Sequence, residues 1–310
     1  MNRIVMCGLL LGLVACGGTS TPTPKPTQKT VNDVVLTPTQ LSVPLSTFDI
    51  GGYPVQTVMV GNSIYFGNYS NTAKTQFFVR YDIASNTFSS PLATSMNVCG
   101  CGYTSKLVSD GTNIYYIAND ATKYTASTNA WSTINYPTTA HDNAGEAGVT
   151  YANGNIYFVG GRTASNLFKY YSVSQNAWFT APNALYATTS SQLVAFKDRI
   201  YAIGGTGAPT KMAYYSTSSN TWTPVKDVPF TVMTSYETVF GAALGNYIYL
   251  LQNDSIQIYD PANDVWATTP VKVTGLPSYG AMLTDGQNLY IAGKNASNVP
   301  AVTRVAVSVK

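Results

Sequence analysis

Short apolar runs, each closed by a polar turn, follow one another through most of this chain in a fixed order. The clearest copy is 154–179, GNIYFVGGRTASNLFKYYSVSQNAWF. An apolar run at 156–159 ends in Gly160-Gly161 and a polar loop follows. A second run, 167–173, carries Tyr170-Tyr171, and a Ser-Gln-Asn turn leads to Trp178. The same order returns with IYFGNY and VRYDIASNTF, IYYIAN and KYTASTNAW, IYAIGG and MAYYSTSSNTW, IYLL and IQIYDPANDVW, and finally LYIAGK and VTRVAVSVK. The closing aromatics are Phe88, Trp131, Trp178, Trp222 and Trp266, at intervals of 43, 47, 44 and 44. A period near 44 with four strand-like runs per unit predicts propeller blades.

Each run has a physical reading. The first is small and apolar, as in 55–60, 105–109, 148–151, 192–196, 238–243 and 281–284, which suits a crowded axis. Turns such as Ala152-Asn153-Gly154-Asn155 and Asp110-Gly111-Thr112-Asn113 tolerate positive φ and predict tight hairpins into the Ile-Tyr strand. The third strand carries Tyr81-Asp82, Tyr170-Tyr171, Tyr214-Tyr215 or Tyr259-Asp260. The fourth follows an Asn and carries the Trp, whose large ring is expected to pack between neighbouring sheets.

A double glycine after an apolar run, then Tyr-Asp, then Asn-x-Trp resembles the kelch repeat across about residues 46–310. Copies two and five depart from it, with Ala118-Asn119 and Gln252-Asn253 in place of the glycines, and the Arg that often follows strand four in that family is missing. Six Ile/Leu-Tyr strands are followed by only five Trp or Phe strands. Ser46-Thr47-Phe48-Asp49 parallels Asn86-Thr87-Phe88-Ser89 and is the expected missing fourth strand, lying beside 302–309. The expected fold is therefore all-β, a six-bladed kelch-like β-propeller over 34–310, closed by an N-terminal strand that leaves no open edge. Five blades plus a stray strand, or seven using 34–43, are the alternatives.

The N-terminus changes the setting. Arg3 precedes an apolar run, 4–14, that is too short to span a bilayer and reads as a signal peptide over 1–15. Leu13-Val14-Ala15-Cys16-Gly17 resembles a bacterial lipobox, which implies cleavage before Cys16 and lipidation of its thiol; a plain secretory signal is the alternative. Thr- and Pro-rich residues 16–33 predict an extended tether. The expected location is the bacterial cell envelope on a lipid anchor, with Gly17 pointing to the outer membrane.

Only 10% of residues are charged and the net charge is +3, so there is no case for a nucleic-acid partner. A monomer is expected. Cys99-Gly100-Cys101 could close a small disulfide in an oxidising compartment. As metal ligands the pair is poor, and neither a metal nor a cofactor is expected. Loops joining blades and loops from strand two to strand three share one face, and distinctive side chains gather there. Tyr53, Tyr103, Tyr236 and Tyr279 precede inner strands, the only two glutamates, Glu146 and Glu237, occupy matching places, and the only histidine is His141. Arg162 follows Gly160-Gly161. Structural readings stand beside these: tyrosines covering a channel end, glutamates bonding backbone amides, Arg162 pairing with Glu146, and His141 as an exposed loop residue. No nucleophile motif or phosphate loop is visible. These residues suit a binding module whose loop face at the channel mouth takes a protein or glycan partner, since tyrosine joins apolar area to a hydrogen bond. The resemblance also admits an enzyme like the periplasmic kelch-like proteins that interconvert sialic acid anomers or epimers, with Glu146 or Glu237 as acid or base and Arg162 holding a carboxylate.

Overall fold

A computed structural model describes residues 29–43, 55–70, 75–94, 106–117, 121–135, 146–161, 164–232, 239–297 and 299–310. Six antiparallel sheets account for the described strands. Blade one holds β2 (Gln56–Val60), β3 (Ser63–Ser70), β4 (Thr75–Asp82) and β5 (Thr87–Phe88). Blade two holds β6 (Lys106–Ser109), β7 (Asn113–Ile117), β8 (Ala121–Thr125) and β9 (Ala130–Thr133). Blade three holds β10 (Gly148–Ala152), β11 (Asn155–Val159), β12 (Phe168–Ser172) and β13 (Ala177–Thr180). Blade four holds β14 (Gln192–Phe196), β15 (Arg199–Ile203), β16 (Met212–Ser216) and β17 (Thr221–Pro224). Blade five holds β18 (Val239–Leu244), β19 (Tyr247–Gln252), β20 (Ser255–Asp260) and β21 (Val265–Trp266), with β22 (Val271–Lys272) also paired to β20. Blade six holds β23 (Ser278–Thr284), β24 (Asn288–Lys294), β25 (Pro300–Val309) and, from the other end of the chain, β1 (Val34–Gln40). The inner strands β2, β6, β10, β14, β18 and β23 neighbour one another in turn, and β23 returns to β2. The chain is a closed six-bladed β-propeller.

The ring closes with an N-terminal strand, but by other residues than the repeat suggests. β1 runs antiparallel to β25, with Val34 opposite Val309 and Gln40 opposite Thr303. Residues 46–49 lie outside the described residues. Two features fit Val34–Gln40 for closure. Val34 and Leu36 alternate inward and join the core between blades five and six. Asn32 precedes the strand, and its side-chain oxygen accepts from the Thr268 amide at 2.8 Å. Contacts with the ring begin further upstream still. Val31 is buried in the same core, and the Lys29 ammonium donates to the Val309 carbonyl at 3.1 Å.

That Asn32 bond is one copy of a clasp that joins successive blades. In blade three, Tyr171 donates to the Asn176 side-chain oxygen at 2.6 Å, and the Asn135 amide of blade two donates to the same oxygen at 3.2 Å. Trp178 Nε1–H returns a bond to the Asn135 carbonyl at 2.8 Å. Blade two repeats this with Tyr124, Asn129 and Trp131 against Ala93, and blade five with Tyr259, Asp264 and Trp266 against Lys226. In blades two to five the turn residue sits at positive φ: 49° for Asn129, 48° for Asn176, 56° for Asn220 and 54° for Asp264. Asn and Asp are the side chains that best tolerate that region while still offering an oxygen. The aromatic rings do pack between sheets. Phe78 of blade one lies 5.2 Å from Trp131 of blade two, and Phe168 of blade three lies 4.8 Å from Trp222 of blade four.

A second recurring device locks the first hairpin of blades two and six. Asp110 accepts from the Thr112 and Asn113 amides at 2.8 and 2.6 Å and from Tyr115 OH at 2.9 Å. Asp285 repeats the pattern with Gln287, Asn288 and Tyr290. Burial acts to raise the Asp110 carboxyl, but these donors outweigh it and hold it below its ordinary value. Asp285 is lowered by the same balance. Their folded values lie below their unfolded ones, so the stability they contribute is present above the ordinary carboxylate range and lost as pH falls through the lowered values. Asp110→Asn is expected to destabilise the protein at neutral pH and to lessen its acid sensitivity below about pH 4, read by melting curves across pH.

Candidate functional site

The inner strands leave an axial cavity of about 420 Å³. It is lined by β2, β6, β10, β14, β18 and β23 together with residues that lead into them. The small apolar inner strands therefore bound a space. Its lining mixes apolar residues, Val58, Leu107, Val194, Ala242 and Met282 among them, with polar groups that make up the larger share of its surface. Some of its polar groups come where the chain enters the inner strands; Ser109, Thr150, Tyr151 and Thr284 line it further along. Gln56, Lys106 and Gln192 begin β2, β6 and β14, and all three line the cavity. They occupy one level: each lies three residues before the inner-strand residue paired with the Ile of strand two, namely Met59 with Ile64, Ser109 with Ile114, and Ala195 with Ile200. Glu146, Ser190 and Ser191 precede β10 and β14 and complete the polar lining on that side.

The wall between blades three and four is tightly built. Ser190 has φ 53°. Each of the other described non-glycine residues at positive φ sits in a hairpin turn, whereas Ser190 lies in a loop between blades. Its amide donates to the Glu146 carbonyl at 2.8 Å, which ties the entry of β14 to the entry of β10. Gly148, at the level of Lys106 and Gln192, lets Ser191 approach: a Cβ there would stand 2.7 Å from Ser191 Oγ. The Ser191 hydroxyl is buried and makes no hydrogen bond among the described residues.

Lys106 is the described cation that faces the cavity, Glu146 the described carboxylate, and Tyr151 the described tyrosine. Burial drives the Lys106 ammonium well below its ordinary pKa, while the charge of Glu146 acts to raise it. An amine surrounded by protein yet opening on a cavity can hold an anion, or release its proton when none is there.

Of the residues singled out from sequence, Glu146 is brought to this cavity. The backbone of Tyr279 lies in β23, next to an irregularity between Ser278 and Ala281. Tyr53, Tyr103, His141, Arg162, Tyr236 and Glu237 lie outside the described residues, as do Cys16, Cys99 and Cys101. Lys211, in the loop after the second double glycine, forms an exposed ion pair with Asp227 at 2.7 Å and is not part of the cavity. Sequence reasoning missed Lys106, Gln56, Gln192 and Ser191. The available signal was a charged residue inside a small apolar inner strand, in register with two glutamines.

Removing that charge should help the fold, because a desolvated ammonium is costly to bury. Lys106→Met, close in length and apolar, is expected to melt no lower than the parent and to gain most at low pH, where the parent must keep its ammonium charged.

No family model matches the chain, and no curated protein sequence matches it. The solved structure of YjhT is similar: 14% identity, 86% of this chain and 99% of that chain covered, TM-score 0.67. At such identity the likeness concerns the fold alone, so what the comparisons and the strand order together establish is a six-bladed β-propeller.

Proposed function

We propose that this chain is a kelch-type propeller held in the bacterial envelope by a lipid on Cys16, and that it binds a protein or glycan partner at the channel mouth. The observation that carries the reading is the axial cavity, whose mixed and mainly polar lining includes Gln56, Lys106, Glu146, Ser191 and Gln192. A concave space on which polar groups converge is a usual form of a binding site, and a mainly polar lining suits a polar guest such as a glycan. The reading is tested in two arms. Incorporation of a labelled fatty acid should occur in the parent and vanish in Cys16→Ser. Purified propeller should retain a defined glycan or envelope protein, and Glu146→Ala should weaken that retention. Retention unchanged in Glu146→Ala, with cross-links mapping to the outer blade edges, would move the binding surface away from the mouth.

An enzymatic reading is favoured by one observation, the presence of Glu146 in the same cavity as the desolvated Lys106. A carboxylate and an amine together can act as acid and base on a sugar acid. In that reading Glu146 or Glu237 moves the proton and Arg162 holds the carboxylate. Loss of sugar-acid anomer or epimer exchange in Glu146→Gln, with binding kept, would support the enzyme over the binding module.

A further inference from the structure

We infer that the axial cavity is a site for one carboxylate group, seated on the Lys106 ammonium. The inference rests on the channel-mouth reading above and gives it a chemical class. Two observations converge. Lys106 lies in the wall of a cavity of about 420 Å³, room for a small organic acid or for the end of a peptide. Its ammonium makes no hydrogen bond or ion pair among the described residues; Glu146 acts on it through space. A desolvated cation is costly, and the carboxylate of a guest in the cavity would offset that cost.

Charge limits the guest further. The described titratable groups facing the cavity are Lys106, Glu146 and Tyr151. Glu146 already places one negative charge near Lys106, so each further carboxylate on a guest adds repulsion. A monocarboxylate is therefore preferred to a dicarboxylate. Binding is also coupled to a proton. In the empty site burial lowers the Lys106 pKa, and a carboxylate beside it raises the pKa again. Between those two values the complex holds a proton that the free protein does not, so binding takes up a proton and weakens as pH rises.

The experiment is calorimetric titration of the whole propeller with N-acetylglycine and with its neutral counterpart N-acetylglycinamide, in two buffers of different ionisation enthalpy. N-acetylaspartate is the dianion, and N-acetyl-tetraglycine with a free carboxyl tells a chain end from a free acid. The acid should bind at least about tenfold more tightly than the amide, a difference of the size given by one charge-assisted contact. Proton uptake should appear once pH exceeds the lowered Lys106 value of the empty site, and the dianion should bind less tightly. Tighter binding of the longer peptide would point to the end of a protein chain as the natural guest, and equal or weaker binding to a free acid. Lys106→Met should abolish the preference for acid over amide, while Lys211→Met leaves it unchanged. A melting curve of each variant separates loss of the site from loss of the fold. Equal affinity for acid and amide in the parent, or a preference that survives in Lys106→Met, overturns the inference. If glycan or protein retention persists in Lys106→Met although the parent never prefers acids, the carboxylate site fails and the channel-mouth reading survives.

Discussion

Gly160→Ala should lower the melting temperature by roughly 10 °C, from a loss of about 3 kcal/mol in a domain of this size. Two separate costs add. Gly160 has φ +72°, a conformation that a Cβ disfavours by about 1 kcal/mol. The added methyl would also stand 2.2 Å from the Thr188 carbonyl oxygen. That oxygen cannot easily withdraw. Thr188 is buried and held by a reciprocal pair with Ser165, its amide donating at 2.9 Å and its carbonyl accepting at 3.3 Å. Forcing such a contact open costs typically about 1–3 kcal/mol more. Gly154→Ala separates the two costs. It has φ +80° and nothing within 4 Å of the added atom, so it should show only the backbone term of about 1 kcal/mol. Paired melting curves check the difference, and equal losses would show that the Thr188 contact relaxes freely. In the next blade Gly204, at φ +58°, stands against Val232 at 2.2 Å and should behave like Gly160. The double glycines thus end strand two and also admit the neighbouring loop, which is where the wall between blades acquires its close packing.

The fold was legible because its signals are local and repeated. Asn153-Gly154 and Asp110-Gly111 mark hairpins by their own backbone preferences, and each Asn-x-Trp marks a turn and a packed ring within three residues. The inner strands were found nearly to their ends for the same reason, β14 among them. The closing strand was misplaced because resemblance in letters, STFD to NTFS, outweighed role. Asn32-Asp33-Val34 plays the part of Asn-x-Trp with a valine in the aromatic position, and only the bond to Thr268 and the burial of Val34 reveal it. The candidate site was legible in part. Glu146 stood out by rarity. Lys106 did not, because what distinguishes it is the set of six strands brought together around it, and the nearest of these comes from β10, about 40 residues on.

The clasp allows a ranked test of what joins the blades. Asn176 accepts two bonds, from Tyr171 OH at 2.6 Å and from the Asn135 amide at 3.2 Å. Asn220 accepts from Tyr215 OH at 2.6 Å, but the residue facing it from the preceding blade is Pro182, which has no N–H to give. Trp222 still donates to the Pro182 carbonyl at 2.9 Å. The two sites thus share backbone conformation, tyrosine and tryptophan, and differ by one inter-blade bond. Asn176→Ala should cost about 2–3 kcal/mol: the left-handed turn is strained for alanine, and two donors lose their acceptor. Asn220→Ala should cost about 1 kcal/mol less, the net worth of a single hydrogen bond. Asn→Gly at each site removes the backbone strain and keeps the bond loss, so the gap between the sites should persist in the glycine pair. If the gap vanishes there, the difference lies in the turns themselves. If it persists, the amide-to-Asn bond is a measurable link from one blade to the next, and its absence makes the junction between blades three and four the weaker of the two along this outer edge. That junction is held instead near the axis, by the Ser190 amide on the Glu146 carbonyl and by Thr188 against Gly160. Strain and packing there are concentrated beside the cavity, so hydrogen exchange should protect the Ser190 amide more strongly than the outer strand β17, and Glu146→Ala, which keeps the backbone carbonyl, should leave that protection in place.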